Sequence, residues 1–181
     1  MNLIKHQAPE LEVSQWFNTR CPISLSSLRG RVVVLHAFQM LCPGCVMSSL
    51  PQVQRIRQSF NENDVAVIGL HSVFEHHHAM QAEALAVFLH EYRIRYPVAV
   101  DRHDPPDAVP VTMTAYCMQG TPSLVLIDRA GLIRHQHFGV MEDLALGNKI
   151  GSILAAQTSD TPIKTNNASC SIAGHCQPTS V

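Results

Sequence analysis

Cys42 and Cys45, with Pro43 and Gly44 between them, are the residues of this chain best equipped for chemistry. Two thiols at this spacing can pass between dithiol and disulfide, and the thiolate is the nucleophile in that exchange. Cys42 is read as the attacking thiol and Cys45 as the one that resolves the mixed disulfide. The same pattern is also half of a zinc site. Such a site needs a second ligand pair, and no further Cys-x-x-Cys or His-x-x-x-His follows at finger-like spacing.

Other residues with chemical potential are scattered. His76, His77 and His78 are adjacent and internal; neighbouring residues point in different directions, so a solvated loop or helix start is expected rather than a metal cluster. His135 and His137 alternate on a strand-like segment and should share a face. Cys21 and Cys117 are singletons, expected to be small buried hydrophobes, although Cys117 precedes Pro122 closely enough to approach a site there. Cys170 and Cys176, with His175, lie in a polar stretch. They are a candidate second redox pair that could exchange with Cys42–Cys45 from a tether.

The elements that position the first pair can be read from periodicity. The run from Val32 up to the cysteines opens apolar and β-branched, of the kind that forms a buried strand. Behind the cysteines, Val46, Met47, Leu50, Val53, Ile56 and Phe60 recur at helical spacing. The pair therefore stands where a strand passes into a helix, whose first N–H groups lack intrahelical partners and carry the positive end of the dipole. A thiolate is favoured there, and Cys42 is expected to be the more exposed thiol.

Val65–Leu70 reads as a second strand covered on both faces. Leu85, Phe88, Leu89 and Tyr92 share a helical face within 80–95, and Pro97–Val100 is a third strand. That order implies parallel crossovers. Residues 101–110, with three prolines, are a loop, and a short helical turn is expected near Thr112–Cys117. Ser123–Asp128 and Leu132–Phe138, joined by Arg129-Ala130-Gly131, predict an antiparallel hairpin. Leu144, Leu146, Ile150, Ile153 and Leu154 mark a last helix. Near the N-terminus a small hairpin is expected between Leu11–Phe17 and Ile23–Leu25. The sum is an α/β fold, a central mixed sheet flanked by helices with an N-terminal hairpin extension. Residues 1–157 are read as one domain and 158–181 as a polar C-terminal tail.

With 13 basic and 14 acidic residues the chain offers no electrostatic argument for nucleic acid or an anionic membrane. No apolar run has the length of a membrane span. The first ten residues hold no apolar stretch suited to a signal peptide, so a cytoplasmic location is expected.

Residues 30–51, from Gly30 through Cys42-Pro43-Gly44-Cys45 to Pro51, together with Gly120–Asp128, resemble the thioredoxin-like redoxin family. The likeness is to TlpA-type thiol–disulfide oxidoreductases that border on the AhpC/TSA peroxiredoxins. It covers about residues 8–156 and implies a thioredoxin fold. Pro51 matches the proline that kinks the active-site helix. Pro122 matches the family's cis-proline, and the resemblance implies that Thr121 and Pro122, with Pro43 and Gly44, receive the substrate. His36 stands where thioredoxins carry a buried Asp that exchanges a proton with the resolving thiol, making it a candidate catalytic residue. Leu41 replaces the Trp common before the first cysteine.

The implied partners are protein or small-molecule thiols and disulfides, with an electron-donor thiol system and no bound cofactor. A thiol-dependent peroxidase is the alternative enzyme. Aligning a peroxidatic cysteine with Cys45 puts Phe38 and Cys42 where that motif has Pro and Thr, which speaks against it. A metal-binding or redox-sensing module is the alternative outside catalysis.

Overall fold

The computed structural model describes residues 6–104 and 109–156. Among these residues six strands, β1 (Val13–Phe17), β2 (Val32–Phe38), β3 (Val65–His71), β4 (Val98–Asp101), β5 (Ser123–Ile127) and β6 (Ile133–Phe138), form one sheet in the order β1-β4-β3-β2-β5-β6. β2 runs parallel to β3, and β3 to β4; β5 is antiparallel to both β2 and β6. Among the described residues four α-helices accompany the sheet: α1 (Leu50–Ser59), α2 (Ala82–Glu91), α3 (Val111–Ala115) and α4 (Asp143–Ala156).

Every residue of β2 is buried, because side chains alternate between two covered faces. Val32, Val34 and Phe38 pack with Leu50, Val53 and Ile56 of α1, Leu85 and Leu89 of α2, and Leu146 and Ile150 of α4. Val33, Leu35 and Ala37 pack the other way, with Leu25, Leu28, Met113 and Tyr116. The strand that leads to the cysteines is thus enclosed on both faces. Its end is held firmly.

The expected N-terminal hairpin does not form. β1 pairs antiparallel with β4 at the sheet edge instead. Asn18, at φ 58°, turns the chain after β1, and its amide donates to the carbonyls of Ile94 and Tyr96 at 2.8 and 3.1 Å. Residues 25–28 form a 3-10 turn rather than a returning strand. Their N–H groups are already taken: Glu10 accepts from Leu25 and Ser26, and Ser24 Oγ from Ser27. These three N–H groups are therefore not available for a ladder against β1.

Cys21 and Cys117 are exposed, not buried as expected. Cys117 follows α3 at φ 50°, a left-handed position on the surface. His135 and His137 do share a face, their rings stacked at 6.2 Å. His76 starts a 3-10 turn, and His77 leans on His103 with ring centroids 4.6 Å apart. Among the described residues no helix is long and apolar enough to cross a membrane. The tail, with Cys170 and Cys176, lies outside the described residues.

Candidate active site

Helical geometry begins at Pro43, immediately after Cys42. Proline suits a first helical position because its missing N–H would have no partner there. Cys42 then takes the place of a helix cap. Its Sγ accepts the N–H of Cys45 at 3.3 Å, as a side-chain oxygen would in an ordinary cap, and its carbonyl accepts Val46 N–H at 3.0 Å.

From Cys45 to Ser49 the helix is a π-turn, and the carbonyl of Cys45 accepts from Leu50 N–H. Pro51 explains the widened register: it has no N–H for the carbonyl one turn back, and the extra residue accommodates it. Cys45 is completely buried and Cys42 half-buried, the order of exposure expected from the sequence.

Thr121 and Pro122 approach the cysteines across the sheet end, joined by a cis peptide bond. The carbonyl of Thr121 lies 3.5 Å from Cys42 Sγ. A Cβ added to Gly44 would stand 3.5 Å from Cδ of Pro122, so the turn between the cysteines rests on the proline. Pro43 and Gly44 are exposed. The Pro122 carbonyl is already occupied by Gly139 N–H at 2.8 Å. Leu41, Met47, Phe138 and Val140 are exposed apolar side chains in the segments that carry these groups.

Burial pushes the Cys45 thiol up to about 12, and its hydrogen bond with Cys42 adds to the rise. The polar groups of the Gln39 backbone and the Thr121 side chain oppose the rise. In the dithiol form, Cys45 therefore keeps its proton and shares it with Cys42.

His36 is buried on β2, and its hydrogen bond goes to Ser49 Oγ, at 2.9 Å, rather than to a cysteine. Ser49 donates its own hydroxyl proton to the Cys45 carbonyl at 3.2 Å. It follows that His36 Nε2 carries the hydrogen and Nδ1, which has no partner, is the bare nitrogen. An orphan acceptor is more tolerable than an orphan N–H. Burial lowers the ring's pKa to about 3, so His36 is neutral near pH 7.

Two contributors were not singled out from the sequence, Gln39 and Ser49. Gln39 is buried between strand and helix; its Nε2 donates to Thr121 Oγ1 at 3.4 Å and its Oε1 accepts Phe74 N–H at 3.3 Å. A glutamine inside the apolar run Phe38-Gln39-Met40-Leu41 is the signal that would have marked it. Among the described residues no group of three or more His, Cys, Asp or Glu is arranged to hold a metal ion.

Known proteins resemble the chain in sequence and in fold. The AhpC/TSA family model matches residues 4–136. A crystal structure of a thioredoxin-like superfamily protein superposes with a TM-score of 0.80 at 55% identity, covering 82% of this chain and 96% of that one. A thiol-disulfide isomerase from Corynebacterium glutamicum gives 0.78 at 49% identity, covering 82% and 97%. Protein DipZ of Mycobacterium tuberculosis is 33% identical over 138 residues, which is 73% of this chain and 18% of DipZ. The chain thus spans about a fifth of the DipZ proteins it matches. With its mixed six-stranded sheet, its paired cysteines at a helix start and its facing cis-proline, the chain belongs to the AhpC/TSA family, as a thioredoxin-fold member among thiol–disulfide oxidoreductases.

Proposed function

We propose that this protein exchanges disulfides through Cys42-Pro43-Gly44-Cys45. The observation that carries the reading is the pairing of a half-exposed Cys42 sulfur, 3.5 Å from the Thr121 carbonyl, with a buried Cys45 directly behind it. Cys42 thiolate attacks a substrate disulfide, forming a mixed disulfide and releasing one substrate thiolate. Cys45, once deprotonated, attacks Cys42 Sγ. The Cys42–Cys45 disulfide closes, the second substrate thiolate leaves, and the substrate has gained two electrons.

Thr121 and Pro122 are the platform on which the substrate backbone lies, with Gly44 leaving space beside them and Pro43 at the edge. His36 acts at a distance in this reading: it fixes Ser49, and Ser49 fixes the Cys45 carbonyl. Substrates are protein or small-molecule disulfides, and a partner thiol system returns electrons. The direction of transfer follows from the potential of the pair against that of its compartment. The apolar side chains Leu41, Met47, Phe138 and Val140 favour polypeptide substrates over small charged ones.

Insulin reduction with dithiothreitol tests the proposal. Wild-type protein should accelerate it, Cys42→Ser should not, and Cys45→Ser should accumulate a mixed disulfide on Cys42. No acceleration by the wild type, with no mixed disulfide in Cys45→Ser, would sink the reading. The family match favours a second reading, reduction of a hydroperoxide by the same pair. Thiol consumption that depends on added hydroperoxide and exceeds the insulin rate would favour it.

A further inference from the structure

We infer that Gln39 is a positioning residue for polypeptide substrates: it holds Thr121 at a set distance from the Cys42 sulfur. A peptide laid along the Thr121 backbone then presents its disulfide to that sulfur. The inference rests on the oxidoreductase reading and concerns only how the substrate is aligned for attack. Thr121 is where free backbone remains. Among the described residues its N–H has no hydrogen-bond partner, and its carbonyl accepts only from the Cys42 sulfur, at 3.5 Å. The Pro122 carbonyl is already taken by Gly139. Yet Thr121 lies in the loop before β5, and Cys42 in the loop after β2. A substrate that pairs with one and is attacked by the other needs the gap between them held constant.

Strand order puts Gln39 in place for this. β2 lies between β3 and β5, and Gln39 is the first residue beyond its end. On one side runs the continuation of β3, and on the other the approach to β5. The buried amide spans both. Phe74 N–H, at 3.3 Å, can only donate, so the atom facing it is the amide oxygen. The NH2 end then donates to Thr121 Oγ1 at 3.4 Å, and the bond to Phe74 keeps it from turning away. The main-chain carbonyl of Gln39 accepts Cys42 N–H at 3.2 Å. One residue thus holds the nucleophile through its backbone and the platform through its side chain.

The consequence differs between substrates. A peptide pairs its own backbone with Thr121, so its disulfide is placed by whatever places Thr121. A small disulfide without a backbone has nothing to pair, and its reaction depends on the Cys42 sulfur alone. A substitution of the Gln39 side chain leaves the main-chain bond to Cys42 in being, and removes the hold on Thr121. Peptides should therefore suffer selectively. A role confined to keeping the fold would slow both classes alike.

The test compares kcat/KM of the full chain for two substrates, a short peptide closed by one disulfide and hydroxyethyl disulfide, with dithiothreitol as reductant. The rate measured with Cys42→Ser is subtracted throughout. That variant keeps Cys21, Cys117, Cys170 and Cys176, so the reactions of their thiols and of free dithiothreitol drop out. For Gln39→Met the ratio of peptide to small-disulfide kcat/KM should fall about three- to tenfold, the weight of one hydrogen bond. Thr121→Val, which keeps the side-chain shape, should match that fall. The double variant should lose no more than either, because both changes remove the same contact. Thr121→Val carries the test if Gln39→Met proves unstable to urea. An unmoved ratio in Thr121→Val, equal falls for both substrates, or losses that multiply in the double variant overturn the inference alone. So does a wild type that reduces only the small disulfide. A wild type no faster than Cys42→Ser on either substrate overturns the oxidoreductase reading and this inference with it.

Discussion

Cys42 and Cys45 are one turn of chain apart and chemically unlike. Cys42 meets solvent, while Cys45 is enclosed with its thiol pushed up to about 12, chiefly by burial. Iodoacetamide labelling of the reduced protein across pH should therefore modify Cys42 first, as read by peptide mass spectrometry. Preferential labelling of Cys45 would reverse the assigned roles. Ser49 gives a second prediction at this scale. It accepts from His36 and donates to the Cys45 carbonyl, so Ser49→Ala leaves a buried imidazole N–H without a partner. The expected loss is about 1–3 kcal/mol in urea unfolding, the usual cost of an orphaned buried donor. A midpoint unchanged from wild type would mean that His36 finds another partner.

At the scale of elements, β3 meets the site-facing core with a glycine where its neighbours are bulky. A Cβ at Gly69 would stand 3.0 Å from Val98, 3.1 Å from Tyr96 and 3.3 Å from Phe38. Gly69→Ala should cost about 1–3 kcal/mol through overpacking, and the displaced Phe38 ring should show in the near-ultraviolet circular dichroism. Strands of this kind were legible in the sequence because the run from Val32 towards the cysteines and Val65–Leu70 are apolar and rich in β-branched residues, as a strand covered on both faces requires. The β5–β6 hairpin was legible because three residues cannot cross a sheet. The partner of β1 was not. Its residues suit a strand, but the pairing with β4 depends on Asn18 reaching carbonyls 76 and 78 positions away. The site divides the same way. The cysteines announce themselves by local pattern and Pro122 only through the family resemblance, whereas Gln39 touches Thr121, 82 positions on.

For the molecule as a whole, two imidazoles sealed in the core tie stability to acidity. His36 is lowered from 6.5 to about 3 and His71 to about 4, both by burial. Above pH 6.5 both are neutral folded or unfolded, and stability does not depend on them. As pH falls below that value the unfolded chain binds protons that the folded chain refuses, so stability falls. Each histidine contributes about 1.4 kcal/mol per pH unit, both down to about pH 4 and His36 alone to about 3. Asp101, raised by burial, has the opposite sign and offsets part of the loss at the acid end. Urea midpoints measured against pH should show the decline, and His71→Leu should roughly halve its slope between pH 6.5 and 4. A midpoint flat across that range would contradict the burial of both rings.

The enclosure of Cys45 also bears on survival under oxidative stress. Peroxide that reaches the half-exposed Cys42 converts it to a sulfenic acid, which a further peroxide would carry to the irreversible sulfinic form. Cys45, out of reach of the oxidant and next to Cys42, condenses with that sulfenic acid first, releasing water and leaving a reducible disulfide. The peptide that holds Cys42 and Cys45 should therefore lose two hydrogens on peroxide treatment and regain them with dithiothreitol, whereas in Cys45→Ser the same peptide should gain oxygen and keep it. The buried thiol is a repair device for the exposed one.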